Sequence, residues 1–148
     1  MRSVPSNRAK GSAILLVDDN RDGSDARCSV LEQLGFLVSY AGSGEDALQM
    51  IAGKTFDLVI TDLVMEPMDG KQLIATLRQC GFKNPVILLT GFANMLGLKP
   101  ENTGADAVVN KSAKEIDEIV RQAKRLLNPA KKPAGSLVAR KQKSRSSA

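Results

Sequence analysis

Asp62 directly follows the run Leu58-Val59-Ile60-Thr61, so the chain sets a carboxylate at the mouth of a buried strand. An earlier run, Ala13 to Val17, ends in Asp18 and Asp19, and two later ones, Val86 to Leu89 and Ala107 to Val109, lead to Thr90 and Lys111. Three carboxylates, one hydroxyl and one ammonium thus stand at four strand ends. In an open parallel sheet the carboxyl ends of all strands lie along one edge, where ligands bind, so the five side chains are expected to converge. Two adjacent acids and a third from a neighbouring strand can hold a hard divalent cation through oxygen, as magnesium prefers, with water and phosphate completing its octahedron. With that repulsion balanced, Asp62 can attack an incoming phosphoryl group, Lys111 can pair with its equatorial oxygens, and the Thr90 hydroxyl can donate to another. The expected product is an aspartyl phosphate and the expected cofactor is Mg2+.

The elements that must position these groups alternate along the chain. Strands are expected near Ala13 to Val17, Leu37 to Tyr40, Leu58 to Thr61, Val86 to Leu89 and Ala107 to Val109, with helical patterns between them. That alternation marks repeated βαβ units, hence an α/β fold with a doubly wound parallel sheet and helices on both faces. The first helix runs from about Arg21 to Leu34, with Cys28, Leu31 and Leu34 on one stripe and Gly35 as its stop. The second starts at Ser43, a capping hydroxyl, and ends near Gly53; the third covers about Lys71 to Cys80. The last opens with Ser112-Ala113-Lys114-Glu115, read as a capping box, and places Ile116, Ile119, Val120, Ala123, Leu126 and Leu127 on one face. Between Ala93 and Thr103 the fourth helix is expected to be short or broken, because it contains Gly97 and Pro100.

Composition sets the limits. A chain of 148 residues is read as one domain over 12–127, large enough for a core without disulfides. Cys28 and Cys80 fit no metal or redox spacing, which reads as a reducing, cytoplasmic setting. No stretch has the apolar length to span a bilayer or the form of a signal peptide. There is no histidine, which excludes Ser-His-Asp and Cys-His hydrolysis, histidine-zinc chemistry and phosphoryl donation from a histidine of this chain. The formal charge of +5 is unevenly spread: 12–127 holds 12 basic and 16 acidic residues, while the two ends hold nine basic residues and no acids. Segments 1–11 and 128–148 have too little apolar surface to pack and are expected to be disordered. Lys131-Lys132 and Arg140 to Arg145 carry no interleaved aromatics for base stacking, so a nucleic-acid partner is set aside.

Taken together, Leu15-Leu16-Val17-Asp18-Asp19-Asn20, Asp62, the turn Met65 to Gly70, Leu89-Thr90-Gly91 and Lys111 resemble the receiver domain of two-component response regulators. The resemblance covers about Ala13 to Leu127. It implies a five-stranded sheet of order 2-1-3-4-5, Asp62 as phosphoacceptor, Thr90 and Lys111 as its helpers, and metal contacts from Asp19, Asp62 and the main-chain carbonyl of Val64, with Asp18 assisting. It also implies a histidine kinase or phosphotransfer protein as donor and a downstream protein as partner. The chain departs from the family pattern in four places: the proline of the turn is displaced to Pro67, Ser112 stands where a cis-proline is usual, Val108 where a mobile aromatic is usual, and the fourth helix is interrupted.

Each residue has a plainer reading alone: Asp18-Asp19 as solvated helix caps, Asp62 as a turn acid, Thr90 as a cap, Lys111 as a surface charge, Met65 and Met68 as packing. Their joint placement at successive strand ends argues for the site. A small phosphatase with an aspartate nucleophile would need a second aspartate where Asn20 stands. A receiver-like docking scaffold with no phosphorylation is the other alternative. The reading adopted is a stand-alone response regulator without an output domain, catalysing only its own phosphorylation and dephosphorylation.

Overall fold

The structure, a computed structural model, describes residues 11–91 and 96–128. Among the described residues the elements alternate as β1 (Ala13–Val17), α1 (Arg21–Gln33), β2 (Leu37–Ala41), α2 (Gly44–Gly53), β3 (Leu58–Asp62), α3 (Gly70–Gln79), β4 (Val86–Thr90), α4 (Pro100–Thr103), β5 (Ala107–Asn110) and α5 (Glu115–Leu127). The strands form one parallel sheet of order β2-β1-β3-β4-β5. Strands covered on both faces must be apolar on both, and β3 and β4 are buried at every position, whereas edge strands β2 and β5 are partly exposed. One core packs Ile14, Leu16, Ile60, Ile87, Leu89 and Val109 against Leu31 of α1 and Ile119, Ala123 and Leu126 of α5. The other packs Leu15, Val17, Val59 and Leu88 against Ala47 of α2 and Leu73, Ile74 and Leu77 of α3.

Helix starts follow local chemistry. Asn20 Oδ1 accepts the Gly23 N–H at 3.4 Å, and Ser43 Oγ accepts the Asp46 N–H at 3.0 Å. The sequence pattern did not single out the capping box of α3, where Asp69 accepts the Gln72 N–H at 2.8 Å and the Gln72 side chain accepts the Asp69 N–H at 2.9 Å. The capping box expected at Ser112 does not form. Ser112 Oγ instead accepts the Lys114 N–H at 3.2 Å, closing a turn, and α5 begins at Glu115, whose carboxylate is held by Arg27 at 2.6 Å rather than reaching back.

The expected interruption before β5 is present. α4 has four residues and opens on Pro100, which suits a first helical turn because no N–H bond is required there; it follows Gly97 at φ +64°. Residues 92–95, including Phe92, lie outside the described residues. So do the basic ends, except Gly11, whose N–H donates to the Gly35 carbonyl at 2.9 Å, and Asn128, the cap of α5.

Candidate functional site

Register brings the acids together. Val17 pairs with Thr61 in the β1–β3 ladder, so the residues that follow, Asp18 and Asp62, emerge at the same level of the sheet edge. Asp18 and Asp62 are 2% and 5% exposed while Asp19 is open to solvent, and one carboxylate oxygen from each of the three lies within 4.8 Å of the others.

Asp18 is heavily tethered. Its N–H donates to the Ala41 carbonyl at 3.1 Å, Oδ1 accepts the Asn20 N–H at 2.9 Å, Oδ2 accepts from Arg27 Nη1 at 2.8 Å, and its carbonyl accepts the Tyr40 hydroxyl at 2.5 Å. Burial pushes the Tyr40 hydroxyl above its usual range, as does the nearby Asp18 charge, so it stays a donor. The Arg21 guanidinium lies 4.5 Å over the Tyr40 ring centroid, a cation–π contact that closes this side.

Lys111 Nζ lies 2.6 Å from Asp62 Oδ1. The Lys111 N–H donates to the Thr90 carbonyl at 2.9 Å, so β5 delivers the ammonium without a proline after it. Among the described residues the only cis peptide is Glu66–Pro67. Thr90, 1% exposed, closes β4 beside Asn110. Four of the five expected side chains are thus in one carboxylate–ammonium cluster, with Thr90 tied to it through Lys111. Beyond β3 the Leu63 N–H donates to the Leu89 carbonyl and the Gly70 N–H to the Leu63 carbonyl, both at 2.8 Å. That short loop leaves Val64 60% exposed at the rim. Gly70 packs so tightly that a Cβ there would sit 2.3 Å from the Asp62 carbonyl oxygen. Val108 is half-buried against the core on the α2–α3 side.

Two residues of the site, Arg27 and Tyr40, were not singled out from sequence. Arg27 is 7% exposed and bridges Asp18 to Glu115, and Tyr40 holds the Asp18 carbonyl. A signal existed for Arg27: it lies four residues before Leu31 and seven before Leu34, so a charge sits on the inward stripe of α1. The buried positions of α1 are Ser24, Arg27 and Leu31, with Cys28 only half-buried beside them. Burial raises the Cys28 thiol above its usual range, which disfavours its thiolate form.

Asp62 ionises reluctantly. Burial raises its carboxyl above the usual value, the contact and charge of Lys111 oppose this, and the Asp18 charge reinforces it. The folded chain therefore binds that proton more tightly than the unfolded chain, so the stability contributed by the protonated form is full below the unfolded value and lost as pH rises through the folded one. Asp62→Asn removes the penalty of the buried charge. It is expected to raise Tm by several degrees at neutral pH, with the gain shrinking toward zero in acid. Thermal melts across pH check this, and a variant that is less stable than the parent at neutral pH would contradict it.

A family model for the response regulator receiver domain matches residues 14–124. The chain belongs to that family. Among curated relatives, the receiver resembles the Regulator of RpoS of Escherichia coli, 31% identical over 110 residues, which are 74% of this chain and 33% of the relative. It also resembles the transcriptional regulatory protein DltR of Streptococcus agalactiae, 29% identical over 72% of this chain and 48% of the relative. The chain thus spans between a third and a half of these relatives. A Francisella response regulator receiver superposes with TM-score 0.73 at 26% identity, covering 82% of this chain and 100% of that one. The Thermotoga maritima response regulator TrrA, solved with Mg2+ and beryllofluoride, superposes with TM-score 0.66 at 28% identity, covering 76% and 98%. The receiver fold predicted from the motifs is thereby established, with its order 2-1-3-4-5. Its donor set, three carboxylates of which two are buried, suits a hard, oxygen-seeking cation. No helix among the described residues is long and apolar enough to cross a membrane.

Proposed function

We propose that this receiver accepts a phosphoryl group on Asp62 from a histidine kinase or phosphotransfer protein in the cytoplasm and signals by changing its affinity for a protein partner. The observation that carries the reading is the 2.6 Å contact of Lys111 with Asp62 inside the three-carboxylate cluster. One Asp62 oxygen forms a bond to phosphorus as the bond from phosphorus to the donor breaks, and the electron pair leaves with the donor. Lys111 then transfers its ammonium contact from the carboxylate to the phosphoryl oxygens, and the Thr90 hydroxyl donates to another of them. Asp18, Asp19, Asp62 and the Val64 carbonyl are the groups that would hold Mg2+, which when bound offsets the repulsion between the carboxylates and the incoming phosphate. The only reactions assigned to the chain are its own phosphorylation and hydrolysis of the product. Incubation with acetyl phosphate and magnesium followed by intact-mass measurement tests this: one added phosphoryl group supports the reading, turnover of phosphate esters points to a phosphatase, and neither leaves a docking scaffold.

The phosphoryl group is expected to be long-lived, because Val64, at the rim two residues beyond Asp62, has no group to orient an attacking water. Val64→Asn is expected to speed its loss several-fold, followed by mass decay after the donor is removed. Equal decay in parent and variant would count against this role.

A further inference from the structure

Among the described residues Arg27 is the only buried basic side chain. It sits between two carboxylates of opposite allegiance. Its Nη1 lies 2.8 Å from Oδ2 of Asp18, in the cluster, and its Nε lies 2.6 Å from Oε2 of Glu115, the first residue of α5. Burial works against the Arg27 charge, but Glu115 and Asp18 together outweigh it and hold the guanidinium above its usual range. The linked side chains Asp18, Arg27 and Glu115 thus run from the sheet edge to the amino end of α5. Because the Asp18 carboxylate already accepts from Asn20 through Oδ1 and from Arg27 through Oδ2, any cation drawing on Asp18 must share it with the guanidinium.

We propose that Arg27 is a positioning residue that sets the affinity of the acidic cluster for its divalent cation, with Glu115 drawing the guanidinium back from Asp18. The inference rests on the reading of Asp18, Asp19 and Asp62 as a cation site. Like charges at such short range in a poorly solvated pocket repel strongly. Arg27 thus keeps the cation exchangeable, and its grip on Asp18 depends on how firmly Glu115 holds its other edge. The same geometry makes cation occupancy felt at α5, since weakening the Arg27–Asp18 contact leaves the guanidinium to Glu115.

Two substitutions separate this from a merely structural ion pair. Arg27→Met and Glu115→Gln both break the link between α1 and α5, so a structural role predicts the same direction of change in both. The electrostatic role predicts opposite directions. In isothermal titration of the full chain with MgCl2, Arg27→Met is expected to lower the dissociation constant about ten-fold, and Glu115→Gln to raise it about three-fold, the sizes expected for a partly screened charge. Arg27→Lys, which keeps the charge, should lie close to the parent. Shifts of the same sign in Arg27→Met and Glu115→Gln, or unchanged affinity in Arg27→Met, would overturn the inference. Should Arg27→Met fail to fold by circular dichroism, Arg27→Gln takes its place in the comparison of signs, and unchanged or tighter binding in Glu115→Gln is equally fatal. A parent chain that takes up no Mg2+ would instead remove the cation reading itself.

Discussion

Asp62→Asn is expected to take up no phosphoryl mass from acetyl phosphate and magnesium while remaining folded. The amide that replaces the carboxylate is not a nucleophile, and loss of a nucleophile typically slows such chemistry by roughly three orders of magnitude or more. No neighbour is placed to substitute. Asp18 has one oxygen held by the Asn20 N–H and the other by Arg27, which leaves neither free for attack. Asp19 is exposed, whereas the Lys111 ammonium that would neutralise the phosphoryl oxygens is 2.6 Å from Asp62. Intact-mass measurement on parent and variant over the same time course decides it. A variant that gains one phosphoryl group as readily as the parent would move the acceptor elsewhere in the chain.

Among the described glycines, Gly70→Ala is expected to add the most damaging methyl. The added Cβ would lie 2.3 Å from the Asp62 carbonyl oxygen, 2.8 Å from Leu88 Cδ1 and 3.0 Å from Leu63 Cα. Two of those atoms are backbone, so a rotamer change cannot relieve the contact, and overpacking of this kind costs about 1–3 kcal/mol. The strain falls on the proposed acceptor, because moving the Asp62 carbonyl disturbs the end of β3. Phosphorylation should slow in parallel with the loss of stability. Gly53→Ala is the internal control: nothing lies within 4 Å of its added Cβ, and alanine in a helix is favoured over glycine by roughly 0.5–1 kcal/mol. Urea titrations of the two variants should shift in opposite directions. If Gly70→Ala unfolds at the parent's midpoint and labels at the parent's rate, the helix does not approach Asp62 as closely as the structure has it.

The strands were readable in sequence because a parallel sheet covered on both faces demands uninterrupted apolar runs, and Leu58-Val59-Ile60 or Val86-Ile87-Leu88-Leu89 have little other use. Their ends extend one residue further than hydropathy alone suggests. Asp62, Thr90 and Asn110 are polar, yet each still takes part in strand pairing, Asp62 with Leu89 and Thr90 with Asn110. Hydropathy registers the side chain, while pairing depends on the backbone. The three carboxylates, Thr90 and Lys111 were legible for a related reason: topology places every strand's carboxyl end on one edge, so sequence position alone predicts their convergence.

What local pattern could not supply is the choice each polar group makes among distant partners. Ser112 and Glu115 have the spacing of a capping box, but a carboxylate facing a buried guanidinium gains more than one reaching back to a backbone N–H. That guanidinium belongs to Arg27, 88 residues away. Arg27 itself stood in the sequence as a charge on an apolar stripe, and only the packing of α1 and α5 on the same face of the sheet shows that Asp18 and Glu115 justify its burial. By itself the sequence determined the fold class, the sheet edge and the acids upon it, because these follow from hydrophobic periodicity and chain topology. Tertiary structure decided which ions pair, since Coulombic partners are selected by distance in space and by desolvation, neither of which is a function of separation along the chain.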